Sequence, residues 1–342
     1  GGIFLENQLK NNGEVLSEDD VRLTKDEFEE CLDKLELVTF LEAVHTPNPK
    51  SIYIFAQPGA GKTGLRMFAE TEFYNQNECS NHVAIDPDQV AMFHKYYDTI
   101  IEKFPDDSYR LLQEFVRPAL DGYLRQKAVF HKVHLFQEGT FASPGYIEIM
   151  DFQKNGGRAK IGKRDLNGNR AEVNVEGNYD IEINILAVHR YESLLSAYER
   201  EFELVEQDLP ARAVTAKNHD YSYEKMLENI EKVEKRKIAN KMRVFKRGYV
   251  KSKPELVYKS GDTKYRSTAE AVRCEREKNK MELMSNSEAY LDRIAILRKK
   301  IKSKISRDGD FPNSDVLLDK IDAIEKEFIK DIEKSKIEGR GE

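Results

Sequence analysis

Two glycines, an ammonium and a hydroxyl fall close together at Gly59, Gly61, Lys62 and Thr63, inside the stretch SIYIFAQPGAGKTGLRMF that runs from Ser51 to Phe68. That grouping suits a polyphosphate. Glycine permits backbone conformations and close approaches that a Cβ would block. The N–H groups of such a turn, with the N-terminus of a following helix, make a cradle for anions. Lys62 would then act as a point charge on the β- and γ-phosphates, and the Thr63 hydroxyl would hold Mg²⁺. The strand-forming run Ile52–Phe55 before the turn and the apolar-periodic stretch after it supply the strand–loop–helix context the motif requires. Gln57, Pro58, Gly59, Ala60, Gly61, Lys62, Thr63 and Gly64 are therefore the expected contacts to a nucleotide, ATP or GTP. Ala56 stands where the pattern G-x-x-x-x-G-K-[ST] has glycine, and a positive φ there would cost about 1 kcal/mol or more.

Polar groups recur where other strands stop. His82–Ile85 runs into Asp86, Pro87 and Asp88, and Lys132–Phe136 runs into Gln137, Glu138, Gly139 and Thr140. Carboxylates at the carboxyl ends of parallel strands face the ligand crevice of an open α/β sheet, although Asp-Pro is also a common turn. Arg200 and Arg212 flank Asp208-Leu209-Pro210, and arginines beside a phosphate loop can stabilise the charge on a transferring phosphoryl group. Phosphoryl transfer needs positioning, charge neutralisation and one base, for which Asp88 is the candidate. No residue to orient an attacking water stands out, which favours a kinase over a hydrolase.

The elements that must position these groups read as follows. Residues 1–16 carry little periodicity and are expected to form an irregular lead-in. An acidic helix start at Ser17–Asp20 leads to Phe28, Cys31, Leu35, Val38 and Leu41 at helical spacing. That helix either packs on the sheet or covers one side of the nucleotide site. Helices are expected near 62–74, 88–103, 106–127, 145–154, 189–205 and 222–239, with a core strand at Ile181–Val188 and late strands at Met242–Phe245 and Leu256–Tyr258. Asn167-Gly168 signals a hairpin over 160–178, read as a solvated insertion whose basic residues could grip a polyanion. Ser267–Glu270 is a capping box. Two apolar stripes follow, one through Leu291, Ile294, Leu297, Ile301 and Ile305, the other through Leu317, Ile321, Ile324, Phe328 and Ile332; they predict an antiparallel helical hairpin. The fold class is thus α/β, a P-loop kinase-like parallel sheet flanked by helices with a C-terminal helical hairpin. The expected units are a helical segment at 1–49, the kinase domain at 50–260 and a charged helical extension at 261–342, to which no chemistry is assigned.

Composition narrows the partners. A net charge of −6 over 342 residues argues against general attraction to nucleic acid. Cys31, Cys79 and Cys274 are dispersed, match no zinc spacing and fit reduced thiols in a cytoplasm. No apolar run approaches the roughly 18 residues of a membrane span.

Five motifs in order resemble the zeta toxin family of the epsilon/zeta toxin–antitoxin systems: Gln57–Thr63, Ile85–Asp88, Glu138–Thr140, Tyr198–Arg200 and Ala211–Ala213. The resemblance covers about residues 50–250. It implies a bacterial kinase that moves the γ-phosphate of ATP or GTP to the 3′-hydroxyl of UDP-N-acetylglucosamine and so starves cell-wall synthesis. It assigns Asp88 as base, Glu138 and Thr140 as contacts to the sugar nucleotide, Arg200 and Arg212 as triphosphate ligands, and Lys62 and Thr63 to phosphate and Mg²⁺. It also implies a small helical antitoxin as partner. Relatives on this scaffold use other hydroxyl acceptors, including NAD. Two further readings are a nucleotide-binding module that transfers nothing and a kinase of nucleic-acid ends.

Overall fold

The computed structural model describes residues 16–77, 81–209, 213–248 and 253–340. A 3₁₀ turn, Glu18–Val21, precedes helix α1, Lys25–Phe40. The single helix expected from residue 17 is two pieces because Thr24 provides a second start: its hydroxyl accepts from the Glu27 N–H at 3.2 Å while Glu27 accepts from the Thr24 N–H at 3.0 Å. Next come β1, Lys50–Phe55, α2, Lys62–Asn77, and β2, Val83–Ile85. The expected 88–103 helix is split into α3, Pro87–Ala91, and α4, Tyr97–Lys103. Helix α5, Ser108–Ala119, carries Pro118 near its end and passes through a π turn, Leu120–Leu124, into α6, Arg125–His131. The proline's missing N–H and the change of helical pitch coincide.

Strand β3, Leu135–Gly139, and helix α7, Gly145–Asn155, lead to the hairpin β4, Gly157–Arg164, and β5, Arg170–Val175. Then follow β6, Asp180–Leu186, α8, Arg190–Glu206, α9, Ala216–Arg236, β7, Lys241–Lys246, and β8, Glu255–Lys259. The chain continues through α10, Thr268–Ser285, α11, Ser287–Asp308, and α12, Ser314–Glu338.

The main sheet has strand order β2-β3-β1-β6-β7-β8, parallel apart from the antiparallel edge strand β8. This is the expected α/β arrangement. Strand β1 is buried from Ser51 to Phe55, as a central parallel strand must be when helices cover both faces. Its alternate residues serve two cores. Tyr53 and Phe55 join the larger one, while Ile52 and Ile54 pack with Leu65, Ala69 and Phe73 of α2. Phe55 lies level with Gly139 on β3 and Ile185 on β6, so the loops that follow these strands rise from one rim.

The β4–β5 hairpin is not a solvated excursion. Ala159, Ile161 and Val175 are buried, and two of its three arginines are committed to α1, Arg164 to Asp33 at 2.7 Å and Arg170 to Glu29 at 3.2 Å; Arg158 pairs with Glu172 across the hairpin at 3.2 Å. Those pairs leave Arg164 and Arg170 engaged with carboxylates instead of a polyanion. Tyr96 and Tyr123 also hold α1, by donating to Glu27 and Glu36 at 2.8 and 2.7 Å; Tyr123 in turn accepts from Arg170 at 3.2 Å. Helix α1 is a packing element.

The C-terminal stripes meet a helix of the core. Tyr290, Ile294, Leu297 and Ile301 of α11 and Leu317, Ile321, Ile324 and Phe328 of α12 form one cluster with Tyr191, Leu194, Tyr198 and Phe202 of α8. Polar contacts border the seam, including Lys320 to Glu201 at 3.1 Å and the Tyr290 hydroxyl donating to the Tyr191 carbonyl at 2.8 Å. Among the described residues, no helix is long and apolar enough to cross a membrane.

Phe328 is fully buried in this seam. Phe328→Ala is expected to lower the unfolding free energy by about 3–5 kcal/mol, measured by denaturant titration. A loss below about 1 kcal/mol would show that the hairpin is not packed as described.

Candidate functional site

A cavity of about 1690 Å³ opens at the rim where β1, β2 and β3 end. The loop after β1 forms its floor. Gly59 and Gly61 have φ of +82° and +100°, the left-handed region that glycine tolerates. Gly59 is doubly constrained, since a Cβ there would lie 1.9 Å from the Ser193 carbonyl oxygen of α8. Ala56 does not have positive φ; it is fully buried and its N–H donates to the Gly139 carbonyl at 3.2 Å. The backbone penalty that an alanine threatened at this position does not arise.

Pro58, Gly59, Gly61, Lys62 and Thr63 line the cavity, with Lys62 half-buried and Thr63 exposed in the first turn of α2. Ala60 and Gly64 do not line it. Gln57 touches the cavity, but its side-chain amide donates inward, to the Val188 carbonyl at 2.8 Å and the Ser193 hydroxyl at 3.2 Å. The Gln57 side chain thus fastens the loop to α8.

Across the floor stand the strand-end carboxylates. Asp86 caps α3 by accepting from the Asp88 N–H at 2.9 Å, and both aspartates line the cavity, Asp88 exposed. Glu138 and Thr140 join them from β3. Arg66 of α2 reaches Glu138 at 3.1 Å. Burial raises the Glu138 pKa above its ordinary 4.5, and the Asp86 charge adds to this, against the opposing pull of Arg66 and Lys62. The residue after Thr140 is strained: Phe141 has φ of +58°, in a region few bulky residues enter. Its ring stacks on Phe55 at 4.2 Å and Asn229 donates to its carbonyl at 2.7 Å, and these contacts hold the turn that aims Thr140.

Arg200 lies exposed on the cavity wall formed by α8. Arg212 falls outside the described residues, as do Pro210, Ala211 and Cys79. Lys62, Thr63, Asp88, Glu138, Thr140 and Arg200, which are far apart in sequence, thus share one cavity. No residue of α1 lines it.

Sequence reasoning missed Arg247, Glu192 and Arg293. Arg247, just beyond β7, donates to the Gly59 carbonyl at 3.2 Å and the Ser196 hydroxyl at 3.0 Å. The only available signal was its place at the end of a parallel strand. Ser193, His219 and Asp220 form a hydrogen-bonded row, with Ser193 Oγ 2.6 Å from His219 Nε2 and His219 Nδ1 3.0 Å from Asp220. Ser193 and His219 are completely buried and out of reach of a substrate, so the row is internal bracing and not a hydrolytic triad; burial lowers the His219 pKa.

Comparison with known proteins settles the family. The family model described as Zeta toxin matches residues 37–162 and 164–261. The chain belongs to the Zeta toxin family. It is 22% identical over 200 residues to Toxin PezT of Streptococcus pneumoniae serotype 4, spanning 58% of this chain and 69% of that protein. It is 25% identical over 276 residues to Toxin zeta of Streptococcus agalactiae, spanning 79% and 83%. A solved structure from the PezAT chromosomal toxin–antitoxin system of Streptococcus pneumoniae shares the fold, with TM-score 0.58 and 19% identity over 83% of this chain and 100% of that one. Family membership supports a kinase-like phosphotransferase toxin of the toxin–antitoxin kind. The matched span stops at residue 261, short of α10, α11 and α12.

Because the folded-state pKa of Glu138 is raised, its contribution to stability is complete below 4.5 and is lost as pH rises through the raised value. Carbon-13 NMR titration of its carboxyl should give a midpoint above 4.5, lowered by Asp86→Asn and raised further by Arg66→Gln. A midpoint at or below 4.5 would contradict the assignment of a buried carboxyl beside Asp86.

Proposed function

We propose that the chain is a toxin kinase that transfers the γ-phosphate of ATP or GTP to the 3′-hydroxyl of UDP-N-acetylglucosamine, blocking peptidoglycan synthesis. The observation that carries this reading is that the phosphate-loop residues, the strand-end carboxylates and Arg200 line one cavity. In this reading the β- and γ-phosphates lie on the N–H groups of Gly59, Gly61, Lys62 and Thr63, with the Lys62 ammonium as their counter-charge. Mg²⁺, when bound with the nucleotide, neutralises phosphate charge; the exposed Thr63 hydroxyl would hold it, and an oxygen donor set suits that ion.

Asp88 accepts the proton of the acceptor hydroxyl as its oxygen bonds to the γ-phosphorus, while the bond from that phosphorus to the bridging oxygen breaks and the nucleoside diphosphate leaves. Glu138 and Thr140 orient the sugar nucleotide. Arg200, with Arg212 as its counterpart, stabilises the charge on the moving phosphoryl group. A small helical antitoxin that covers this cavity is the partner in the same reading, consistent with the toxin–antitoxin system from which the structural relative comes.

Incubation with MgATP and UDP-N-acetylglucosamine should yield the monophosphorylated sugar nucleotide by mass spectrometry. Lys62→Ala and Asp88→Asn should each lower turnover by orders of magnitude, and Arg200→Ala by about 10³-fold. Phosphorylation of NAD with none of UDP-N-acetylglucosamine would reassign the acceptor. Full toxicity of Asp88→Asn would leave only a nucleotide-binding module.

A further inference from the structure

The last helices contribute a wall to the nucleotide cavity. Asn286, Tyr290 and Arg293 line it, although all three lie beyond the span that matches the family. Arg293 reaches from α11 to α8, where it binds Glu192 at 2.8 Å and pairs with Glu199. Glu192 is 3% exposed, so an unpartnered charge there would be costly. Its other oxygen lies 3.5 Å from Arg247. Arg247 in turn holds the Gly59 carbonyl, and its side chain runs beside Gly61, 3.4 Å from the position a Cβ would occupy. Ser196 completes the cluster by accepting from Arg247 at 3.0 Å and from Arg293 at 3.4 Å.

The charges of this quartet cancel, two carboxylates against two guanidiniums. Without Arg293 two carboxylates would face one arginine beside a cavity that must admit a polyanion. Glu192 would then compete with the Gly59 carbonyl for Arg247, the one cation left within its reach in the quartet. Shared pairs of this kind couple: deleting one member changes what its neighbours bind.

We infer that Arg293 is a positioning residue for nucleotide binding, supplied by the C-terminal helical hairpin. It neutralises Glu192 and Glu199 so that Arg247 stays on the phosphate loop. The inference rests on the reading of residues 57–63 as the nucleotide loop.

The test is calorimetric titration of the full chain with MgATP. Arg293→Gln should weaken binding by about tenfold or more, as expected for uncovering a buried partner charge. Arg293→Lys, which keeps the charge but not the fork that spans both carboxylates, should bind more tightly than Arg293→Gln and more weakly than the parent. The decisive variant is Glu192→Gln combined with Arg293→Gln, which removes the uncompensated charge and should recover most of the lost affinity; it also serves if Arg293→Gln alone does not fold. Wild-type affinity in Arg293→Gln, or a double variant that binds no better than Arg293→Gln or fails to approach the parent, would overturn the inference. Lys62→Ala separates the two levels. If the parent chain binds MgATP and Lys62→Ala does not, an unaffected Arg293→Gln refutes this inference alone. If the parent does not bind, both readings fall.

Discussion

The site depends on how closely α8 approaches the loop after β1. At Gly59 the Ser193 carbonyl occupies the space a Cβ would need, and a few residues further along α8 Ser196 and Arg200 face the same cavity. One packing contact therefore sets the loop's shape and the distance from loop to wall. Its tolerance is small, because the groups in contact are backbone atoms that cannot change rotamer. A displacement of α8 would move floor and wall together.

Two routes of hydrogen bonds and ion pairs lead from that contact to the C-terminal hairpin. One starts at Gln57, passes through Ser193 and His219 to Asp220, and continues through Arg190, which binds Asp220 at 3.1 Å and Glu327 of α12 at 2.5 Å. The other runs from Gly59 through Arg247 and Glu192 to Arg293 of α11. Between them lies the apolar seam of α8, α11 and α12. The hairpin is thus part of the scaffold that fixes the cavity wall, which explains why a segment outside the family-matched span supplies cavity residues.

Much of this was legible in the chain. Strand–glycine turn–helix at 51–68 is a local pattern, and each of its parts acts on its immediate neighbours. The carboxylates at residues 86, 88 and 138 were found because strand ends in a parallel sheet converge on one rim. The two stripes near the C-terminus announced a helical hairpin through their spacing alone. What stayed hidden depended on pairings distant in sequence. Arg164 and Arg170 of the β4–β5 hairpin looked solvated because their partners Asp33 and Glu29 lie more than a hundred residues away. Arg293 sits among the many charged residues of the extension, and only the fold brings it to Glu192. The concern over Ala56 dissolved because its φ is set by the turn as built, which the motif pattern does not encode.

The central claim is geometric: one cavity holds a triphosphate on residues 57–63 and a hydroxyl at Asp88, aligned for transfer. The most direct measurement is a crystal structure of the chain with a non-hydrolysable ATP analogue, Mg²⁺ and UDP-N-acetylglucosamine. The account predicts the β- and γ-phosphates on that loop, with the sugar 3′-hydroxyl about 3 Å from an Asp88 carboxylate oxygen and in line with the γ-phosphorus. A triphosphate bound elsewhere, or a sugar hydroxyl on the side of the γ-phosphate away from Asp88, would contradict it.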